Sequence, residues 1–91
     1  ATPGEEDDAP WVILFESIHH VLAAERVFQE QGVWCDLVPT PRDLSSDCGM
    51  AVAFRPGDLA AVQAVLADPR LRPRNVYRPS PPGHQQVTIP L

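Results

Sequence analysis

Residues 33–54 read VWCDLVPTPRDLSSDCGMAVAF and place two apolar runs on either side of a polar loop. The runs, 33–38 and 50–54, have the composition of β-strands, and the second is apolar in both side-chain phases, which predicts a central strand. Between them, residues 39–49 hold two prolines and several side chains that form turns. A tight hairpin needs roughly two to five residues, so we expect this longer loop to carry function.

The flanking segments complete a pattern of strands and helices. Upstream, residues 11–15 predict a strand, and residues 17–31 predict a helix. Ser17 is suited to the N-cap of that helix, and Gly32 to its C-terminal stop. Downstream, residues 75–78 predict a last strand, after a second helix with the apolar stripe Leu59, Val62, Val65 and Leu66. The order β-α-β-β-α-β predicts an α+β, ferredoxin-like fold: a four-stranded antiparallel sheet with two helices on one face.

Composition limits the partners and the compartment. The formal net charge is −5, and all seven basic residues are arginines, none of them arranged in a basic stripe. We therefore expect no nucleic-acid partner. No apolar run approaches the ~18 residues of a membrane span, so we expect no membrane partner either. Two cysteines are too few for a disulfide framework, which favours the reducing cytoplasm.

The two ends of the chain differ in composition from the middle. Residues 1–10 include four consecutive acids and little that could be buried, which predicts a disordered acidic extension. Residues 79–91 are rich in proline, which predicts a flexible tail. We expect residues 11–78 to form one domain between them.

The predicted topology brings distant residues to one edge of the sheet. Strands one and three should lie side by side and antiparallel, so the start of the first helix meets the start of the third strand, next to Cys48. The partial positive charge of a helix N-terminus lowers the pKa of a nearby thiol. His20 should lie on the sheet side of that helix, as a base or cationic neighbour of Cys48. Asp47 acts in the opposite direction, because an adjacent carboxylate disfavours the thiolate.

Other interpretations of the same residues remain open. Cys48 could turn inward as a small apolar side chain, and His20 could only cap the helix end. A metal site through Cys48 and His20 lacks an evident fourth ligand. A disulfide between Cys35 and Cys48 would have to span roughly 13 Å along the strands, which is beyond disulfide geometry. Since no phosphate-binding or metal motif is visible, we expect neither a cofactor nor a bound metal.

Two stretches of the chain resemble a known family. The sequence LFESIHH at 14–20, followed by an alanine-rich helix, and VPTPRDLSSDCG at 38–49 are similar to the small bacterial domain family named "putative Se/S carrier protein-like". The resemblance implies a thiol carrier in which Cys48 holds sulfur or selenium as a persulfide or perselenide. It also implies that the partners are sulfur or selenium donor and acceptor proteins, and that the protein is a relay more than an enzyme.

Together, the topology and the resemblance predict Cys48 and His20 as the reactive residues. The predicted substrate-binding residues come from the helix start and the loop: Ser17, His19, Thr40, Arg42, Ser45, Ser46, Asp47 and Gly49. A competing hypothesis is a non-catalytic module that binds a small ligand or dimerises, with Cys48 as a bystander. An edge strand of the sheet could pair across a homodimer under either hypothesis.

Overall fold

The computed structural model describes residues 9–44 and 49–88. Within these ranges the chain forms β1 (Trp11–Phe15), α1 (Ile18–Glu30), β2 (Cys35–Pro39), β3 (Met50–Phe54), α2 (Leu59–Leu66), β4 (Pro73–Ser80) and β5 (Gly83–Val87). A short 3₁₀ turn, Pro56–Asp58, leads into α2. The strands make one antiparallel sheet in the order β2-β3-β1-β4-β5. The α+β class is as predicted, but the described sheet has five strands, and the prediction of four is wrong.

The main core lies between the sheet and the two helices. Both α1 and α2 cover the same face, where their buried side chains meet Ile13, Phe15, Val52 and Phe54 of β1 and β3. These strands are adjacent and antiparallel, with Ile13 paired to Val52. The helices contribute Val21, Ala24, Phe28, Val62, Val65 and Leu66. The stripe predicted for the second helix therefore does face the sheet.

Local sequence signals set the two ends of α1. Ser17 is the N-cap residue, with an extended backbone, as predicted. At the other end Gly32 has a φ of 69°, a left-handed conformation that costs glycine least. The Gly32 N–H donates to the Gln29 carbonyl and the Val33 N–H to the Phe28 carbonyl, the hydrogen bonds of a Schellman motif. The turn sends the chain back to the sheet for β2.

The opposite face of the sheet, which carries no helix, has a small core of its own. Val12, Leu14, Ala51 and Ala53 are buried there, and Val38, Leu44 and Tyr77 pack against them. Leu44 belongs to the segment that follows β2, so this segment turns back over the helix-free face. The alanines of β3 leave room for it, since each carries only a methyl group.

The C-terminal part departs most from the sequence prediction. The last predicted strand, 75–78, is the centre of a longer strand, because Pro79 and Ser80 extend β4 past it. Residues 83–87, which the proline content assigned to a flexible tail, form β5 and pair with β4 from Val76↔Val87 to Ser80↔Gly83. The tail prediction is therefore wrong for these residues. The physical reason is that β4 offers a free strand edge, and its unpaired N–H and C=O groups bind a second strand whatever its hydrophobic pattern.

None of the described helices is both long enough and apolar enough to cross a membrane.

Candidate functional site

The start of the first helix and the start of the third strand were predicted to meet at one end of the sheet. Pro39, the last residue of β2, pairs with Met50, the first residue of β3. Continuing the Ile13↔Val52 register places Met50 level with Phe15, where β1 ends. Helix α1 begins at Ile18, three residues after Phe15 ends β1. The start of α1 and the start of β3 thus share one end of the sheet, as the topology predicted.

The side chains of Ser17 and His20 form a pair at the start of α1. The Ser17 hydroxyl and the His20 Nδ1 atom are 2.7 Å apart and share a hydrogen bond. This bond orients the imidazole ring and makes Nε2 the nitrogen that can exchange a proton with a ligand. His20 is half-buried and His19 is exposed, which matches the sides of the helix predicted for them.

The N-terminus of α1 keeps its positive character. Because the Ser17 side chain bonds His20, it does not cap the helix. The N–H groups of Ile18 and His19, in the first turn, have no carbonyl one turn earlier in the helix to accept from them. No acidic residue lies in the first turn to offset the helix dipole. Glu16, just before the N-cap residue, has its carboxylate 3.8 Å from the Arg72 guanidinium in a largely exposed pair.

Backbone hydrogen bonds define both ends of the loop that joins β2 to β3. The Thr40 N–H donates to the Gly49 carbonyl at 3.1 Å, just beyond the last strand pair. The Leu44 N–H donates to the Pro41 carbonyl at 3.0 Å and closes a turn in which Arg42 is exposed. At Gly49, a predicted substrate-binding residue, an added Cβ would meet no described atom within 4 Å. Four of the predicted residues, Ser45, Ser46, Asp47 and Cys48, lie outside the described residues.

The structure adds a contact that the sequence analysis did not find. The His84 ring Nδ1 donates to both carboxylate oxygens of Asp43, at 2.9 and 3.0 Å. The sequence analysis assigned no role to either residue. They lie 41 positions apart, and no spacing in the sequence links them, so only the folded chain brings them together.

The second cysteine, Cys35, lies at the beginning of the edge strand β2. It is half-buried and packs against the main core, as its alternation with Leu37 predicted. Burial, and then the negative charges of Glu25 and Asp36, raise the pKa of its thiol above the ordinary value. A thiol with a raised pKa holds less of the reactive thiolate at neutral pH. Cys35 is therefore poorly suited to carry a sulfur atom.

We expect a variant with only Cys35, Cys48→Ser, to react slowly with iodoacetamide at neutral pH. Because the thiol pKa is raised, the midpoint of its pH–rate profile should lie above the value of about 8.5 for an unperturbed cysteine. The same variant in urea should have a lower midpoint, since unfolding removes the burial and separates the Cys35 thiol from Glu25. A folded-state midpoint below that of the unfolded chain would contradict this assignment.

Among residues 9–44 and 49–88, no group of three or more His, Cys, Asp or Glu side chains is arranged to hold a metal ion. Cys48 falls outside these ranges, so the metal site considered for Cys48 and His20 stays a hypothesis.

A comparison with known protein families gives a match that includes the loop between β2 and β3. Residues 10–78 match the family described as "putative Se/S carrier protein-like". The chain belongs to this family. The matched segment contains all of the predicted site residues, including the loop and the start of α1. No curated protein and no solved structure matches the chain.

Proposed function

We propose that this member of the Se/S carrier-like family relays sulfur or selenium as a persulfide or perselenide on Cys48. The family match over residues 10–78 carries the proposal, because it includes the loop with Cys48. Two features of the described residues support it. The loop ends are tied at the sheet edge where α1 begins, and the other cysteine, Cys35, has a raised pKa and is unsuited to the role.

The transfer consists of two exchange reactions at sulfur. The Cys48 thiolate attacks the outer sulfur of a persulfide on the donor protein, so a new S–S bond forms at Cys48 while the donor's S–S bond breaks. The donor leaves as a thiolate and takes up a proton. A nucleophile on the acceptor then attacks the outer sulfur of the Cys48 persulfide, and the Cys48 thiolate is released. No net oxidation occurs, and a perselenide follows the same steps.

The start of α1 would stabilise the Cys48 thiolate and exchange a proton with it during this cycle. Its first-turn N–H groups and dipole favour a negative charge near the sheet edge. The His20 imidazole, held by Ser17, can accept the thiol proton before the attack and return it when the acceptor leaves. The predicted substrate-binding residues of the loop, Thr40 and Arg42 among them, would then contact the donor and acceptor proteins.

Mass spectrometry tests the carrier directly. After incubation with a small persulfide donor, wild-type protein should gain about 32 Da on the peptide containing Cys48, and cyanide should remove the label. Cys48→Ser should gain none, whereas Cys35→Ser should label as wild type does. Equal labelling of Cys35 in the wild type would refute the assignment.

The same variants separate the carrier from the competing binding module. A carrier should lose its activity with Cys48→Ser. If a small anion instead stabilises wild-type protein and Cys48→Ser equally against heat, the uncapped start of α1 is a binding site in its own right and the thiol is a bystander.

A further inference from the structure

The carboxylate of Asp43 is held by the beginning of β5. The His84 ring donates to it through Nδ1, at 2.9 Å from one carboxylate oxygen and 3.0 Å from the other. Only 21% of the His84 side chain is exposed, against 40% for Asp43. Loss of hydration tends to raise the pKa of Asp43, but the hydrogen bonds from His84 and from its own backbone, with the His84 charge, bring it below the ordinary value. The contact is therefore made with a carboxylate anion.

Glycine at position 83 is part of the same contact. A Cβ atom at Gly83 would lie 2.8 Å from Asp43 Oδ2 and 3.4 Å from its carboxyl carbon. No real Cβ tolerates the shorter distance, so a larger residue at position 83 would displace the carboxylate. At Gly57, by comparison, an added Cβ would meet no described atom within 4 Å. The start of β5 thus supplies a ring N–H donor at His84 and the space for the carboxylate at Gly83.

Leu44, the neighbour of Asp43, makes a second and independent contact. It packs on the helix-free face against the cluster that contains Ala51 and Ala53. Its N–H closes the turn from Pro41. Two successive residues of this turn therefore present an anion to β5 and an apolar side chain to the helix-free face of the sheet. The segment following β2 is therefore held by two parts of the fold, β5 and the helix-free face of the sheet. One of these parts, β5, lies beyond the 10–78 segment that the family match covers.

We propose that the β4–β5 hairpin is a docking element that positions residues 40–44, the first part of the loop between β2 and β3, with Gly83 and His84 as the receptor for the Asp43 carboxylate. The inference rests on the proposed function in one respect: it makes Asp43, Gly83 and His84 positioning residues for the chemistry of Cys48. The extension beyond the family segment then has a role in the thiol chemistry, although it contributes no reacting group.

Three variants break the contact in different ways: Asp43→Ala removes the anion, His84→Ala removes the ring donor, and Gly83→Ala displaces the carboxylate by contact alone. Two matched controls leave it intact. Gln85→Ala changes an exposed neighbour that accepts a hydrogen bond from Arg78 at 2.7 Å, and Gly57→Ala adds a methyl group where there is space. His84→Asn is the conservative variant, because its side-chain amide can donate from near the position of Nδ1.

The first measurement is amide hydrogen exchange at Leu44 by NMR. We expect exchange to accelerate about tenfold or more in the three disrupting variants, while amides of β1 and β3 keep their wild-type rates, because only local opening becomes easier. His84→Asn should restore part of the protection. Wild-type exchange at Leu44 in all three variants would overturn the proposal, and so would faster exchange throughout the sheet, which would indicate a general loss of stability.

The second measurement is the pH–rate profile for alkylation of Cys48, followed by mass spectrometry of its peptide. Releasing the loop should move the midpoint of the profile in all three variants in the same direction, by about one pH unit for a tenfold change in thiolate population. The two controls should overlay the wild type. Faster exchange at Leu44 with an unchanged Cys48 profile would refute the positioning role. Alkylation requires no persulfide, so a failure of the carrier function itself would appear separately, as absence of the 32 Da label.

Discussion

Replacing Phe54 with alanine should reduce the free energy of unfolding by about 3–5 kcal/mol. Phe54 is fully buried at the end of β3, and its ring meets Trp11 edge-on with centroids 6.0 Å apart and an interplanar angle of 70°. It also pairs across both neighbouring strands, with Trp11 on one side and Cys35 on the other. Removing the ring leaves a cavity between sheet and helices that this small core cannot fill. Since natural domains have only about 5–15 kcal/mol of stability, we expect a large unfolded fraction.

Urea unfolding followed by far-ultraviolet circular dichroism measures this loss. Trp34→Ala is the matched control, because it also removes an aromatic ring, but one that is 39% exposed. The Trp34 ring stacks under the Arg55 guanidinium, 4.7 Å from the ring centroid, and such surface contacts contribute about 1 kcal/mol or less. If the two variants lost equal stability, the assignment of the core to the helix-covered face would be wrong.

The elements with strong local signals were predictable from sequence. Helix α1 has an N-cap residue at Ser17 and a left-handed glycine at Gly32, and the structure begins and ends the helix there. The apolar run Met50–Phe54 becomes a strand buried on both faces, as predicted. Each of these predictions depends only on residues close together in the chain. The bounds of β2 were predicted less well: the strand covers Cys35–Pro39, whereas the sequence predicted 33–38. The apolar pattern already begins in the preceding turn, so it does not mark the first residue of the strand.

The fifth strand was not predictable in the same way. Its sequence, GHQQV, has no alternation of apolar and polar residues, and the prolines before it are typical of a tail. What makes it a strand is the edge of β4, a partner that exists only once the sheet has formed. The same holds for the contact between Asp43 and His84, which no spacing in the sequence indicates. The sequence therefore predicted which end of the sheet carries the candidate site. It did not predict that the β4–β5 hairpin contacts Asp43 there.

A second large effect is expected at His20. If its imidazole accepts the Cys48 proton, His20→Ala should slow the loading of a persulfide onto Cys48 by at least about tenfold at neutral pH, within the range by which positioned general bases act. His20→Asn should be nearly as slow, because asparagine can keep a hydrogen bond to Ser17 but cannot take up a proton in this pH range. Ser17→Ala should have a smaller effect, since the ring remains and loses only its orientation. The measurement is the rate of label appearance on the Cys48 peptide.

Gln29→Ala, an exposed change in the last turn of α1, controls for general effects on the helix and should load as wild type does. The pH dependence distinguishes a base from a structural residue. If His20 acts as the base, its loss should lower the loading rate most at neutral pH, while the rate at high pH, where Cys48 ionises unaided, should approach that of wild type. A structural role would instead lower the rate by the same factor at every pH. That result would leave the dipole and N–H groups of α1 as the source of thiolate stabilisation, and His20 as an orienting partner of Ser17.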